Sequence, residues 1–238
     1  KLVNEPTAAA VAFQKMCNLK DGTVMVFDFG VDYLEVTILE INGMSFITKA
    51  VCSDLSLGGE YIDAIIIEEF LSRFMEKNPG EDPRSNKRAM ALLERECKAS
   101  EYFWHTQKNE MRISIYQFYN GIDLYETLTW DRLNCISENF SIKVSELIEI
   151  ALEDAGLTDG DINQVIIIGD LAESLHLFFS KTNIISDFFD QRIKPHRIFA
   201  NNGAVAIGAA IICKNSSRGA VYTDTTKNIT RRIIDYED

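Results

Sequence analysis

Few residues in this chain have types and spacings that could do chemistry unaided. His105, His176 and His196 share no ligand spacing, so each reads as a surface or half-buried histidine rather than a metal ligand or catalytic base. Asp154, Asp159 and Asp161 lack the spacing and the closing glutamate of a calcium loop, and read as a helix end, a turn and the next entry. No Gly-x-x-x-x-Gly-Lys-Ser/Thr loop is present. Cys17, Cys52, Cys97, Cys135 and Cys213 are scattered, with no Cys-x-x-Cys pair to hold zinc or exchange disulfides, so buried free thiols in a reducing compartment are expected. Sequons at Asn139, Asn215 and Asn228 recur as such short patterns do by chance and carry little weight. Gly58, Gly59 and Glu60 stand at a helix entrance, where backbone N–H groups can hold an anion. A Gly-Gly pair also serves any tight strand-to-helix turn, and the residues leave both readings open. Tyr102, Phe103 and Trp104 offer an aromatic partner patch or core packing beneath a hairpin, the second being preferred.

The elements that must position these residues are legible from pattern. A chain of 238 residues with 46% hydrophobic and 25% charged residues is long and apolar enough for a packed core, which excludes a disordered or collagenous chain. Its net charge of −12 is the wrong sign for gripping a phosphate backbone, so nucleic acid is not an expected partner. The longest apolar run, 203–213, is too short for a bilayer, and KLVNEP has no signal-peptide features; no membrane and a soluble, unsignalled protein are expected. The opening on Lys1 reads as a fragment.

Pro6 followed by alanines predicts a helix over 6–16. TVMVFDFG, YLEVTILEI and MSFITKAVC predict an antiparallel meander, with Asn42-Gly43 as its second turn. Ile62, Ile66, Phe70 and Phe74 predict a helix that stops before Asn78. Pro83 is expected to open another helix that carries Ala89, Leu92, Leu93, Cys97 and Trp104 inward and ends near His105. EMRISIYQF and IDLYETLTW flank Asn120-Gly121 as a hairpin. One long helix from Leu133 to Gly156 leads to the buried parallel strand VIII. A helix from about Leu171, a short strand at 197–199, the helix GAVAIGAAIIC and a mobile polar tail from Lys214 close the chain. Together these make an α/β layer architecture with an inserted helix and hairpin.

NEPTAAAVAF, VFDFGVDYLEVTIL, LGGEYID, YNGIDLYETLT, VIIIGDLAES and GAVAIGAA occur in an order and spacing that resembles the seventy-kilodalton heat-shock (DnaK-type) chaperones, from about Asn4 to Cys213. The resemblance is to the second lobe of their actin-like ATPase domain. It implies an α/β, actin-like (ribonuclease-H-like) lobe, with 1–54 and 126–213 as a nucleotide-facing subdomain, 55–125 as an inserted cap and 214–238 as a flexible tail. It also implies ATP/ADP with Mg as the family cofactor, a first lobe and other chaperones or co-chaperones as partners, and a cytoplasmic location.

The resemblance also exposes departures at the family's nucleotide positions. The family hairpin D-L-G-G-G-T-F-D brings glycine N–H groups against phosphates. Here Asp28 and Gly30 persist, but Val31, Asp32 and Tyr33 replace Gly, Gly and Thr, and Glu35 replaces Asp. A carboxylate ~4 Å from a phosphate costs ~1 kcal/mol in water and ~4 at an intermediate dielectric, so Asp32 alone is expected to weaken phosphate binding. The family's G-G-S-T-R-I-P corresponds to Gly169, Asp170, Leu171, Ala172, Glu173, Ser174 and Leu175, with the base-stacking arginine become Glu173. The clamp E-R-A-K-R-T-L-S falls on 98–105, where Lys98, Glu101 and Tyr102 stand among altered charges. Gly58, Gly59 and Glu60 match the family. The leucine-rich acidic linker that follows this lobe in the family has no counterpart after Ser216. A chaperone lobe with a vestigial nucleotide site is therefore expected, with a conventional ATP-binding lobe as the alternative and a sugar or acetate kinase of the same superfamily less favoured.

Overall fold

A computed structural model describes residues 2–18, 20–100, 110–169, 196–199, 203–216, 223–225 and 230–234. The chain begins with α1 (Glu5–Met16), in which Pro6 occupies the first turn, where its missing N–H is no loss. Then follow β1 (Gly22–Phe29), β2 (Leu34–Asn42) and β3 (Ser45–Asp54). They pair antiparallel in chain order, and the Asn42-Gly43 turn joins the last two, Gly43 at φ 59° donating its N–H to Asp21.

Next come α2 (Gly59–Lys77), α3 (Lys87–Ser100), and the hairpin β4 (Glu110–Tyr119) with β5 (Ile122–Thr129), which forms its own two-stranded sheet. After α4 (Trp130–Ile136) and α5 (Glu138–Ala155), β6 (Gln164–Ile168) enters the main sheet parallel to β1. β7 (His196–Phe199) adds outside β6, and α6 (Ala204–Ser216) returns against α1. β8 (Thr223–Thr225) and β9 (Thr230–Ile234) then pair in parallel with β3, so the sheet runs β7-β6-β1-β2-β3 with both final strands on the β3 edge.

Strand alternation sorts the core into two layers. Met25, Phe27 and Phe29 of β1, with Val36 and Ile38 of β2, pack on one face beneath α5 and the α2, α3 and hairpin segment. Val24 and Val26, with Leu39, Ile41 and Ile166, face α1 and α6 on the other. β1 is therefore buried on both sides, which explains its nearly unbroken apolar run. The period of two puts Asp28 on the α1 face, in line with Val24 and Val26. The α1–α6 crossing is close: a Cβ on Gly208 would stand 1.7 Å from the Ala8 carbonyl oxygen.

Four expectations are corrected. Pro83 does not open α3; Asn86 does, its side-chain oxygen accepting the Ala89 N–H as an N-cap should. The single long helix is two, divided at Ser137, whose buried hydroxyl donates back to the Leu133 carbonyl at 2.7 Å beside its own N–H at 2.9 Å. The tail is not uniformly mobile, because 223–225 and 230–234 occupy the otherwise open edge of β3. The thiols are not all buried: Cys52 and Cys97 are, but Cys17, Cys135 and Cys213 are exposed, two of them at helix ends that reach the surface. The helix expected from Leu171 and the aromatic patch at 102–104 lie outside the described residues. Among the described residues no helix is long and apolar enough to cross a membrane.

A charged network ties α2 to β5 and α4. Glu69, only 7% exposed at its side chain, accepts from Arg73 Nε at 2.6 Å and from Arg132 Nη2 at 2.8 Å. Arg73 also donates to the Thr127 carbonyl at 2.6 Å, and Lys77 pairs with buried Glu126. The Arg132 hydrogen bond, more than the neighbouring charges, holds the Glu69 carboxyl below its ordinary 4.5 against burial, which pushes the other way. Its stabilisation is thus present above 4.5 and is lost as pH falls through the lowered folded value.

Two outcomes follow. Glu69→Gln should cost about 2 kcal/mol at pH 7, read by urea unfolding, with the difference from the parent shrinking as the pH falls below that range. Gly208→Val should force α1 and α6 apart and cost about 3 kcal/mol, lowering Tm by roughly 8 °C.

Candidate functional site

The site is built by the change in character of one sheet face. Along the α1 face, β1 runs Val24, Val26, Asp28, and β2 read backwards runs Ile41, Leu39, Thr37, Glu35. Both strands turn from apolar to polar toward the same end. β3 contributes Phe46 and Thr48, and a bulge opposite Ile38 and Leu39 then shifts the alternation so that Val51 joins them. The N-terminus of α1, Asn4 to Thr7, forms the opposite wall. Between them lies a cavity of about 340 Å³ whose lining includes Glu5, Thr7, Asp28, Tyr33, Glu35, Thr37 and Thr48.

The turn from β1 to β2 closes one end. Phe29 pairs with Leu34, and Gly30 donates its N–H to the Tyr33 carbonyl at 2.9 Å. The Tyr33 ring lies over Gly30 so closely that a Cβ there would meet it at 2.3 Å. Its hydroxyl hydrogen-bonds the Asp28 carboxylate. Burial, then the negative charge of Asp28 and that hydrogen bond, push the phenol well above its ordinary range.

Two other glycines serve the same turn. A Cβ at Gly58 would stand 2.3 Å from the Val31 carbonyl oxygen, and one at Gly169, with φ 106°, 2.2 Å from that of Phe29. Asp54, fully buried, receives both the N–H and the hydroxyl of Ser56 and so shapes the bend that delivers Gly58 beneath the hairpin. The first N–H groups of α2 are committed: Gly59 donates to Gly30 O, Glu60 to Val31 O and Tyr61 to Gly58 O.

Of the residues singled out from sequence, Asp28, Gly30, Val31, Asp32, Tyr33, Gly58, Gly59, Glu60 and Gly169 gather around this one turn. Val31 and Asp32 are exposed at its tip, as is Glu60. Lys98 is exposed on α3, which packs on β4 and α2. Glu101, Tyr102, Asp170, Leu171 and Glu173 lie outside the described residues. Asn4, Glu5, Thr7, Thr37 and Thr48 were missed as site residues. Their signal was available in the Asn4-Glu5-Pro6-Thr7 run before the helix and in the lone threonines of otherwise apolar strand runs.

A polyphosphate needs backbone N–H groups or cations facing open glycine surfaces. Here the surface of Gly30 is covered by Tyr33, those of Gly58 and Gly169 by backbone, and the α2 N–H groups by carbonyls. Among the described residues the cavity wall holds Glu5, Asp28 and Glu35 and no lysine or arginine. Among the described residues this lining does not fit a nucleotide's phosphates. Nor do three of their His, Cys, Asp or Glu side chains converge to hold a metal ion.

The fold and site define a mixed α/β protein whose strand-turn-strand end is packed on a glycine-glycine helix entrance. The family described as "Hsp70 protein" matches residues 1–226, and the chain belongs to it. It is 27% identical over 236 residues to "Heat shock 70 kDa protein 2" of Paracoccidioides lutzii, covering 98% of this chain and 34% of that protein. It is 29% identical over 234 residues to "Heat shock 70 kDa protein BIP3" of Oryza sativa subsp. japonica, covering 95% and 34%. The chain thus spans about a third of the length of these relatives.

Tyr33→Phe should lose the bond to Asp28 and cost about 1.5 kcal/mol in urea unfolding. In spectrophotometric titration the same variant should lack one phenol that ionises well above the 10.0 of an ordinary tyrosine.

Proposed function

We propose that this chain is part of a divergent Hsp70-type chaperone and forms the second, actin-like (ribonuclease-H-like) lobe of its ATPase domain. Residues 1–54 and 126–213 make the nucleotide-facing subdomain of that lobe and 55–125 its cap. Its nucleotide site is degenerate, with little or no ATP hydrolysis by this lobe alone, and the lobe works by engaging the first lobe and other chaperones or co-chaperones. The observation that carries this reading is Tyr33, which lies across Gly30 and bonds Asp28 in the turn the family leaves to glycines. The free cysteines suit the reducing cytoplasm as its compartment.

The chemistry left to the site is that of a closed polar cleft. ATP hydrolysis needs donors and cations aimed at the transferred phosphoryl group and an aligned water. Glu5, Asp28 and Glu35 supply only acceptors, and the first N–H groups of α2 already have carbonyl partners. The hairpin still joins three elements rigidly, so the fold has a reason to keep Gly30, Gly58 and Gly169 without a nucleotide.

The full-length protein should show no rise in Tm with millimolar MgATP, whereas a ligand at a hundred times its Kd would add about 2.7 kcal/mol. A rise of several degrees would establish the conventional ATP-binding lobe instead. Replacing Val31, Asp32 and Tyr33 by Gly, Gly and Thr should create a measurable nucleotide-dependent rise. No change in that variant would mean these positions were never the obstacle.

A further inference from the structure

We propose that Tyr116 and Tyr125, on the solvent face of the β4–β5 hairpin, form an oxidative cross-linking site, at which a one-electron oxidant of the peroxidase class joins the two rings by a carbon–carbon bond. The site is far from the turn at Gly30 in sequence and does not depend on whether a nucleotide binds there. Alternation puts Ile113 and Ile115 of β4 and Leu124 and Leu128 of β5 into the core, so Tyr116 and Tyr125 face outward. Tyr116 is 72% exposed and Tyr125 50%, so a reagent in solution reaches both rings.

The register pairs Tyr125 with Ser114, which makes Tyr116 its diagonal neighbour across the hairpin. The ring centroids are 5.8 Å apart and the planes meet at 87°, edge to face. The two hydroxyls hydrogen-bond one another, and Tyr125 directs its one hydroxyl proton to Asp123 Oδ2 at 3.1 Å, so Tyr116 is the donor between them. Asp123 is itself fixed. Its Oδ1 accepts at 2.7 Å the N–H of Gln117, which sits at φ 48° in the bulge that interrupts the ladder between Ile115 and Tyr119. A stacked pair that only packed would need neither the carboxylate nor the chain of hydroxyls.

That chain has a chemical use. A phenol gives up an electron more readily when a positioned base takes its proton in the same step, and Asp123 stands at the Tyr125 hydroxyl to do so. Tyr116 loses an electron likewise and releases its proton to water. The two ring radicals then join through carbons ortho to their hydroxyls, and the ring hydrogens displaced there move to the oxygens, restoring both phenols. One hydrogen peroxide, acting through a haem peroxidase, takes up the two electrons and two protons and becomes two waters. The protein loses two hydrogens and gains one bond, which staples β4 to β5 in a sheet made of these two strands alone.

The test is oxidation of the dilute full-length protein with a haem peroxidase and equimolar hydrogen peroxide, read by dityrosine fluorescence and peptide mass mapping. The tryptic peptide 113–132, which no lysine or arginine interrupts, should lose the mass of two hydrogens. Cleavage before Asp123 should then leave its two halves joined. Tyr116→Phe and Tyr125→Phe should each abolish the joined product, whereas Tyr119→Phe, half-buried against Phe74, should leave it. Asp123→Asn keeps an oxygen for the Gln117 N–H but is no base, and should slow the reaction about tenfold or more. No joined product, linkage only between molecules, or a joined product that survives Tyr116→Phe or Tyr125→Phe overturns the proposal. An unchanged rate in Asp123→Asn overturns the part given to Asp123.

Discussion

A strand buried on both faces cannot easily end in a carboxylate, and β1 does. Its residues from Val24 to Phe29 are packed between two hydrophobic layers, and Asp28 is only 5% exposed. Burying a charge so nearly completely requires hydrogen-bonding partners and a polar surround. Tyr33, reaching back from the following turn, is one such partner. The polar residues of β2, β3 and the α1 N-terminus complete the surround. The cavity and the tyrosine over Gly30 can both be read as consequences of holding that carboxylate at the end of a central strand.

The glycines make this geometry possible at separate points in the chain. Gly58 and Gly169 let the α2 entrance and the end of β6 come within van der Waals contact of the hairpin backbone. Their persistence therefore says little about a ligand. Close approach of one backbone to another demands a missing Cβ as strictly as close approach of a phosphate does. Gly59 and Glu60 make the same point: their N–H groups would suit an anion, but carbonyls of Gly30 and Val31 have them.

Most of the fold was legible because its signals are local. Alternation in β1 to β3, the Asn42-Gly43 turn, the four-residue periodicity of α2 and the apolar run of β6 each arise from contacts close in sequence or from burial of a whole face. The break at Ser137 was not legible, since a serine amid a helical stripe bends the chain only if its hydroxyl chooses the Leu133 carbonyl. The strands after Lys214 were hidden for a different reason. A polar segment can pair with an open edge through its backbone alone, and composition does not report that. At the site, the turn residues were visible one by one, but the placing of Val51 beside Thr37 and Thr48 on the cavity face depends on a bulge in β3 that leaves no local trace.

The energetic weight of Tyr33 decides how the site responds to an anion. Partial burial of the ring stabilises the closed turn by about 1.5 kcal/mol, and a hydrogen bond to a charged acceptor adds about 1.5 more. A phosphate that needed the space over Gly30 would have to displace both, about 3 kcal/mol, which lowers its apparent affinity by roughly two orders of magnitude before any repulsion from Asp28 is counted. Displacement would also strip Asp28 of a donor and set its charge facing the incoming one. The same tyrosine that makes the turn costly for phosphate is thus held in the fold by its packing over Gly30 and by Asp28.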